Sequence, residues 1–285
     1  MLITGRTKVA GIIGAPDQVA LSLSPAIHNA AFRALDMDWV YLSFGVLPEE
    51  LPLAIRGLAA AGVRGMNVTM PHKVAAMEVM DHLTPQARTI GALNTIEVLD
   101  GELIGHNTDG DGLVRFILQD LGVDPAGCKV VVLGSGGSAR AAVSGLASAG
   151  VSEICVLARN ANVAELLRPA AGNAAFSTAA IDDDPDEWVG AADLIVHATP
   201  VGQQMEEPLI PAEAISRDTV VVDLVYKPPV TPLIEAARAR GAIAHSGLGM
   251  LLHQAALSFE IWTGVQPPIE AMSAAALSEL AHFEK

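Results

Sequence analysis

Residues 129–149 read KVVVLGSGGSARAAVSGLASA: an unbroken apolar run, a glycine-rich turn, then an alanine-rich stretch of helical character. A strand with no polar alternation has no solvent face, so it belongs in a parallel sheet covered by helices on both sides. The turn GSGGSA (134–139) fits G-x-G-x-x-A in the context that gives the pattern meaning, after a strand and opening a helix. Gly134 permits the tight turn, Gly136 lets backbone approach a pyrophosphate, and Ala139 allows close helix–strand packing. The helix start then offers free N–H groups and a positive dipole end to the phosphates. A structural glycine turn, or a site for another nucleotide-like ligand such as S-adenosylmethionine, fits the same six letters.

Apolar runs alternate with helical stretches along the whole chain, the pattern of an α/β fold. In the first half the order is KVAGIIG, SPAIHNAAFRAL, WVYLSFGV, EELPLAIRGLAAAG and GMNVT, with Ser24 as a helix N-cap and Pro25 at the first helical position. A helix opened by Pro71 follows, then a hairpin, ALNTIEVLDGELIGHNT, turning at Asp100-Gly101. A second unit begins near Asp109 and continues through SEICVLAR, DLIVHAT, TVVVDLVY and AIAHS. Two helices, 248–263 and 268–281, close the chain. The expected organisation is two domains with a cleft between them: an α/β substrate-binding domain, 1–108 joined by the returning segment 248–285, and a Rossmann-like doubly wound domain, 109–247. The acidic run IDDDPDE (181–187) reads as a solvated loop.

With 17 Lys+Arg against 32 Asp+Glu, the net charge of -15 leaves no basic stripe for nucleic acid, though a local cationic site could still hold a small anion. The two cysteines, Cys128 and Cys155, form no disulfide framework, and the eight histidines show no metal-binding spacing, so no metal is expected. No signal-peptide h-region opens the sequence, and no apolar run reaches the ~18 residues of a membrane span. A soluble cytoplasmic protein acting on a small molecule is expected. Oligomeric state, a homodimer included, is left open.

The second strand of the nucleotide unit bears on which dinucleotide is bound. An NAD site usually carries Asp or Glu about 20 residues beyond the glycines, on the ribose 2′-hydroxyl. Here the strand ends Ala158-Arg159-Asn160, and Arg159 offers a planar cation for a 2′-phosphate. NADP is therefore expected, with NAD as the weaker alternative.

The stretch NVTMPHK (67–73) holds a second irregularity. If Pro71 opens a helix, Lys73 lies in its first turn, where the dipole disfavours a cation by a few tenths to ~1 kcal/mol. A lysine whose ammonium form is disfavoured can move the hydroxyl proton of an alcohol as hydride leaves carbon. On this segment alone a solvated surface lysine is the simpler explanation. Asp109, in GHNTDGDG, falls where the second unit begins. Ser22, Ser24, Thr69, Asn94 and Gln254 are polar residues on otherwise apolar elements; each has an ordinary role as cap, turn residue or core amide, and together they suit a small polyhydroxylated ligand.

The segments SLSPAIHNAAF, NVTMPHK, IGALNTI, GHNTDGDG, GSGGSARA, ATPVG, DLVYKPPVTPL and GLGMLLHQAA occur in one order nearly end to end, and in this the chain resembles the shikimate dehydrogenase family. The resemblance implies NADP-dependent interconversion of 3-dehydroshikimate and shikimate, in the synthesis of aromatic amino-acid precursors. It implies Lys73 and Asp109 as the catalytic pair, Lys73 being the proton donor and acceptor, and both holding ring hydroxyls. Ser22 and Ser24 would bind the substrate carboxylate; Thr69, Asn94 and Gln254 would hold that side or the hydroxyls, with Tyr226 near the carboxylate. Gly134, Gly136, Gly137, Ser138 and Ala139 would line the pyrophosphate, Arg159 the 2′-phosphate, and Thr199, Leu224 and Gly247 would flank the nicotinamide.

Departures fall on the cofactor side. The family's Asn-Arg-Thr is Ala158-Arg159-Asn160 here, its Asn-Ala-Thr is His197-Ala198-Thr199, and Gln203 stands where methionine is common. The rival within the family is a quinate/shikimate dehydrogenase using NAD, away from which Thr69 and Arg159 lean. A non-catalytic shikimate-type binding protein fits poorly with Lys73 and Asp109 both present, and a methyltransferase leaves NVTMPHK and NTDGDG unexplained.

Overall fold

The computed structural model describes residues 3–183 and 185–283; Met1 and Leu2 at the start and Asp184 of the acidic run lie outside them. The chain forms two compact units, one ending at Thr108 and resuming from Leu252, the other Asp109–Leu251. No helix among the described residues is long and apolar enough to cross a membrane.

In the first unit the elements run β1 (Lys8–Gly14), α1 (Pro16–Ala20), α2 (Ser24–Ala34), β2 (Trp39–Gly45), α3 (Leu51–Ala60), β3 (Val63–Val68), β4 (His82–Leu83), α4 (Pro85–Ile90), β5 (Thr95–Leu99) and β6 (Glu102–His106). They build one six-stranded sheet in the order β2-β1-β3-β5-β6-β4. β1 pairs in parallel with β2 and β3, whereas β5 runs antiparallel to both β3 and β6. The β5–β6 hairpin turns at Asp100 and Gly101, both at positive φ (52° and 87°), the conformation a two-residue hairpin turn requires.

In the second unit follow α5 (Asp109–Arg115), β7 (Lys129–Leu133), α6 (Gly137–Ser148), β8 (Glu153–Ala158), α7 (Ala161–Glu165), β9 (Ala175–Ala180), α8 (Asp186–Gly190), β10 (Leu194–His197), β11 (Val220–Asp223), α9 (Pro232–Ala239) and β12 (Ile243–Ser246). Helix α10 (Leu248–Thr263) starts in this unit and carries the chain into the first, which α11 (Ile269–Phe283) completes. The sheet is wholly parallel, in the order β12-β11-β10-β7-β8-β9, the doubly wound arrangement.

The apolar strands have a simple destination. Val130 and Val132 of β7 enter one core with Ala142, Val143 and Leu146 of α6, while Val131 and Leu133 enter another with Leu233, Ile234 and Ala237 of α9. Alternate side chains fill opposite cores, so a period-two strand with both faces covered must be apolar at every position.

Three local expectations are corrected. No α-helix starts at Pro71: residues 70–74 form turns after a cis Met70–Pro71 peptide, and only a short 3₁₀ segment, Ala75–Val79, follows. Ser24 is not an N-cap; it is the first residue of α2, Leu23 holds the cap position, and no side chain caps the helix. Ser22 does the local work instead, its Oγ accepting the Ser24 N–H at 3.2 Å. The acidic run is also not all loop, since Asp186 and Glu187 open α8.

Candidate active site

In the first unit Thr69, Asn94 and Thr108 leave the sheet at one edge. Asn67 of β3 faces Thr95 of β5, which faces His106 of β6, and the antiparallel central strand puts its beginning beside its neighbours' ends. Thr69 follows β3, Asn94 precedes β5, and Thr108 and Asp109 follow β6.

Backbone bonds fix the turn that carries Lys73. The Thr69 N–H donates to Ile13 O (2.9 Å), and Ala15 N–H donates to Met70 O (3.1 Å). Leu93 N–H donates to Lys73 O (2.9 Å), and buried His72 bonds Val46 O through Nε2 (2.8 Å). Lys73 is thus half-buried on a loop tied to three neighbouring segments, and the helix-dipole argument for it falls with the helix.

Asn94 and Gln254 come together: the Asn94 amide donates to Gln254 Oε1 (3.2 Å) and Thr108 Oγ1 (2.8 Å). Its Oδ1 accepts from Thr95 Oγ1 (3.0 Å) and the Thr108 N–H (2.8 Å). Deeper lies a set absent from the sequence expectations. Asn67 Oδ1 accepts from the Tyr41 hydroxyl (2.7 Å), and its amide donates to Ser258 Oγ (3.0 Å) and Thr95 Oγ1 (3.2 Å). Asn67, Asn94, Thr95, Thr108 and Ser258 are all buried, and this satisfied network holds the edge rigid. The sequence signal for Asn67 is one amide inside the apolar run VRGMNV.

Behind the network the His28 ring stacks on Tyr41 (centroids 4.4 Å apart, 9° between planes), and neither ring nitrogen has a hydrogen-bond partner. Burial lowers its pKa to about 3 and pushes the Tyr41 phenol well above its usual value.

In the second unit every predicted cofactor residue lies just beyond the carboxyl end of a strand. Gly134–Ala139 follow β7, Arg159 follows β8, Thr199 lies beyond β10, Leu224 follows β11 and Gly247 follows β12. That edge is where open α/β sheets bind ligands, and the order reverses between β7 and β10. Gly134 has φ 114°, and a Cβ there would lie 2.8 Å from the Thr199 methyl, so the turn and Thr199 are neighbours across the switch point. At Gly136 and Gly137 a Cβ would meet nothing within 4 Å. The first bond of α6 is Arg140 N–H to Gly136 O (3.0 Å), leaving the N–H groups of 137–139 ahead of it without an acceptor inside the helix. This cradle fits a pyrophosphate. Arg159 is exposed at the tip of β8. Leu224 and Gly247 touch, a Cβ on the glycine lying 2.7 Å from the Leu224 backbone carbon. Tyr226 is half-buried two residues on, and burial raises its phenol pKa.

Asp109 is buried as the first residue of α5, where the helix start favours a carboxylate. Close packing fixes that helix: a Cβ on Gly110 would lie 2.5 Å from Ala141 O and 3.1 Å from Gly145 N of α6. No group of three or more His, Cys, Asp or Glu residues suited to a metal occurs among the described residues. The sequence reading also misses buried Asp223 and His197 as a pair, each a polar residue closing an apolar strand.

Residues 12–96 match the shikimate dehydrogenase substrate binding domain, and residues 247–277 the shikimate 5′-dehydrogenase C-terminal domain. Residues 129–227 match the coenzyme F420-dependent NADP oxidoreductases. A shikimate dehydrogenase (NADP(+)) of Methanopyrus kandleri is 45% identical over 285 residues, covering 98% of each chain. Two solved structures resemble this one closely. Listeria monocytogenes shikimate 5-dehydrogenase, in complex with shikimate and NAD, is 36% identical with a TM-score of 0.90, over 96% of this chain and 98% of that one. The Thermus thermophilus enzyme, in complex with NADP(H) and shikimate, is 35% identical with a TM-score of 0.87, over 95% and 99%.

Proposed function

The chain belongs to the shikimate dehydrogenase family, and from that premise we propose how its residues divide the work. It is an oxidoreductase that interconverts 3-dehydroshikimate and shikimate with NADP(H), in aromatic amino-acid biosynthesis. The observation that carries the assignment is the 45% identity extending over 98% of both chains.

NADP supplies the acceptor and donor of hydride at the ring carbon; the protein supplies binding and the proton path. We assign Lys73 as the group that takes the hydroxyl proton during oxidation and returns it during reduction. Asp109 holds the adjacent hydroxyl. Ser22 and Ser24 take the substrate carboxylate with Tyr226 near it, and Thr69, Asn94 and Gln254 hold the remaining oxygens. For Asn94 this requires an exchange, because its bonds to Thr95, Thr108 and Gln254 already use two donors and two acceptors. Substrate displaces the longest of them, the 3.2 Å bond to Gln254. Gly134, Gly136, Gly137, Ser138 and Ala139 cradle the pyrophosphate, Arg159 pairs with the 2′-phosphate, and Thr199, Leu224 and Gly247 flank the nicotinamide. The two compact units support the domain division, though the second unit runs to Leu251 and not only to Gly247, and the free thiols Cys128 and Cys155 suit a reducing cytoplasm.

The test is a two-by-two rate measurement with shikimate or quinate and NADP or NAD. Shikimate with NADP is expected to exceed the other combinations by at least about tenfold in kcat/KM, the range one lost charged contact or hydroxyl mismatch gives. Equal or better turnover of quinate with NAD overturns the specificity assignment.

A further inference from the structure

Four buried or half-buried side chains at the carboxyl ends of β10 and β11 form a chain of which the proposed mechanism uses only Thr199. Thr231, the N-cap of α9, donates its hydroxyl to Asp223 Oδ2 (2.6 Å) while accepting the Ile234 N–H (3.3 Å). Asp223 Oδ1 accepts the Val225 N–H (3.0 Å) and bonds His197 Nδ1 (2.8 Å). His197 Nε2 lies 2.6 Å from Thr199 Oγ1, which also accepts the Val201 N–H (3.2 Å). Asp223 and His197 are almost wholly buried, and Thr199 is half-buried.

The donors around Asp223 assign the protons along this line. A carboxylate accepting from a hydroxyl and an amide takes its third hydrogen from the imidazole, so in the neutral ring Nδ1 carries the proton and Nε2 presents a lone pair. The Thr199 hydroxyl must then donate to Nε2. One of its oxygen lone pairs is taken by Val201, and the other is left to accept. Fixed this way, Thr199 can receive a hydrogen bond and cannot give one. Its methyl is held against the Gly134 turn, where a Cβ would come within 2.8 Å of it, so the side chain sits at the switch point.

A dinucleotide spanning this edge places its pyrophosphate at the glycine turn and its adenosine half over β7–β9, where Arg159 stands. The other half lies over β10–β12, with Thr199 at its start. The group there that offers an N–H is the carboxamide of the nicotinamide. We propose that His197, locked by Asp223, is a positioning residue that makes the Thr199 oxygen an acceptor for that carboxamide N–H. The inference rests on the NADP reading and concerns what recognises the nicotinamide end. His197 stands where the family resemblance expects asparagine, too short to reach Thr199 from the same backbone position.

Calorimetric binding to the full-length protein tests this without turnover, using NADP⁺ and its 3-acetylpyridine analogue, in which a methyl ketone replaces the carboxamide. The wild type is expected to prefer NADP⁺ by about fivefold to tenfold, the worth of one neutral hydrogen bond. In His197→Asn, which can still bond Asp223 but not reach Thr199, and in Thr199→Val, the preference should fall to within about twofold. His197→Gln, whose Oε1 can replace Nε2 as acceptor, should restore most of it. If both ligands weaken equally in His197→Asn and in Thr199→Val, so that the ratio holds, His197 is only a structural pin and the proposal is wrong. A wild type with no preference also overturns it, whereas a wild type that binds neither ligand overturns the cofactor reading on which it rests.

Discussion

The two units build ligand sites by opposite means. The first uses side chains: Asn67, Asn94, Thr95, Thr108, Gln254 and Ser258 bond to one another in a buried network at the edge of a mixed sheet. The second relies on missing side chains and backbone N–H groups, with open space before Gly136 and Gly137 on a parallel sheet. A side-chain site is specific for one arrangement of oxygens, because any mismatch leaves a buried amide unpaired. A backbone cradle accepts a pyrophosphate whatever nucleoside it joins, so selectivity must be added at its margins, the role proposed for Arg159 and for the Thr199 relay.

If that contrast is right, the largest stability effects of polar substitutions fall in the first unit. Asn67→Leu should cost about 3 kcal/mol in denaturant unfolding, since it strands the buried Tyr41 hydroxyl and other partners. A cost under about 1 kcal/mol would mean the network is not a rigid frame.

Next in size is a pH effect from His28. The unfolded chain protonates this ring at its ordinary 6.5, but the folded chain resists until about 3. The unfolded state therefore binds the extra proton between those values, so the folded state has its full advantage above 6.5 and loses it as pH falls. The loss is about 1.4 kcal/mol per pH unit, or about 2 kcal/mol by roughly pH 5. Unfolding free energies of the wild type and His28→Phe across this range check it. The variant should show a slope shallower by that amount, and parallel slopes would refute it.

The smallest effect belongs to the margin of the cradle. Arg159→Ala should lower the NADP-over-NAD preference by about tenfold, while leaving NAD binding unchanged, because the exposed guanidinium is assigned to the 2′-phosphate alone. An equal loss for both cofactors would place Arg159 in the general cradle.

The same contrast explains what can be read from the letters alone. Gly134, Gly136 and Ala139 have fixed spacing within one turn, so the pattern specifies their geometry, and the strands KVVVL, EICVLA and VVVD are apolar because two cores claim alternate residues. The side-chain network is less legible because its members are far apart in sequence: Asn67 meets Ser258, 191 residues away. Asn94 and Gln254 stand out as polar residues, but nothing local foretells their mutual bond. β9 escapes notice because it is an edge strand whose residues, AFSTAA, lack both an unbroken apolar run and clean alternation. The Pro71 helix fails because proline's preference for a helix start is weak beside tertiary bonds, which here hold residues 69–73 as a turn.

The central claim is that the first unit supplies proton transfer through Lys73 while the second binds cofactor independently of it. Lys73→Met tests this directly, by measuring kcat with shikimate and NADP⁺ together with separate calorimetric affinities for each ligand. The account predicts a kcat lower by about 10²–10⁴-fold, a shikimate affinity changed by less than about tenfold and an unchanged NADP⁺ affinity. An unchanged kcat with weakened shikimate binding would contradict it, and would leave Lys73 as a substrate-holding residue only.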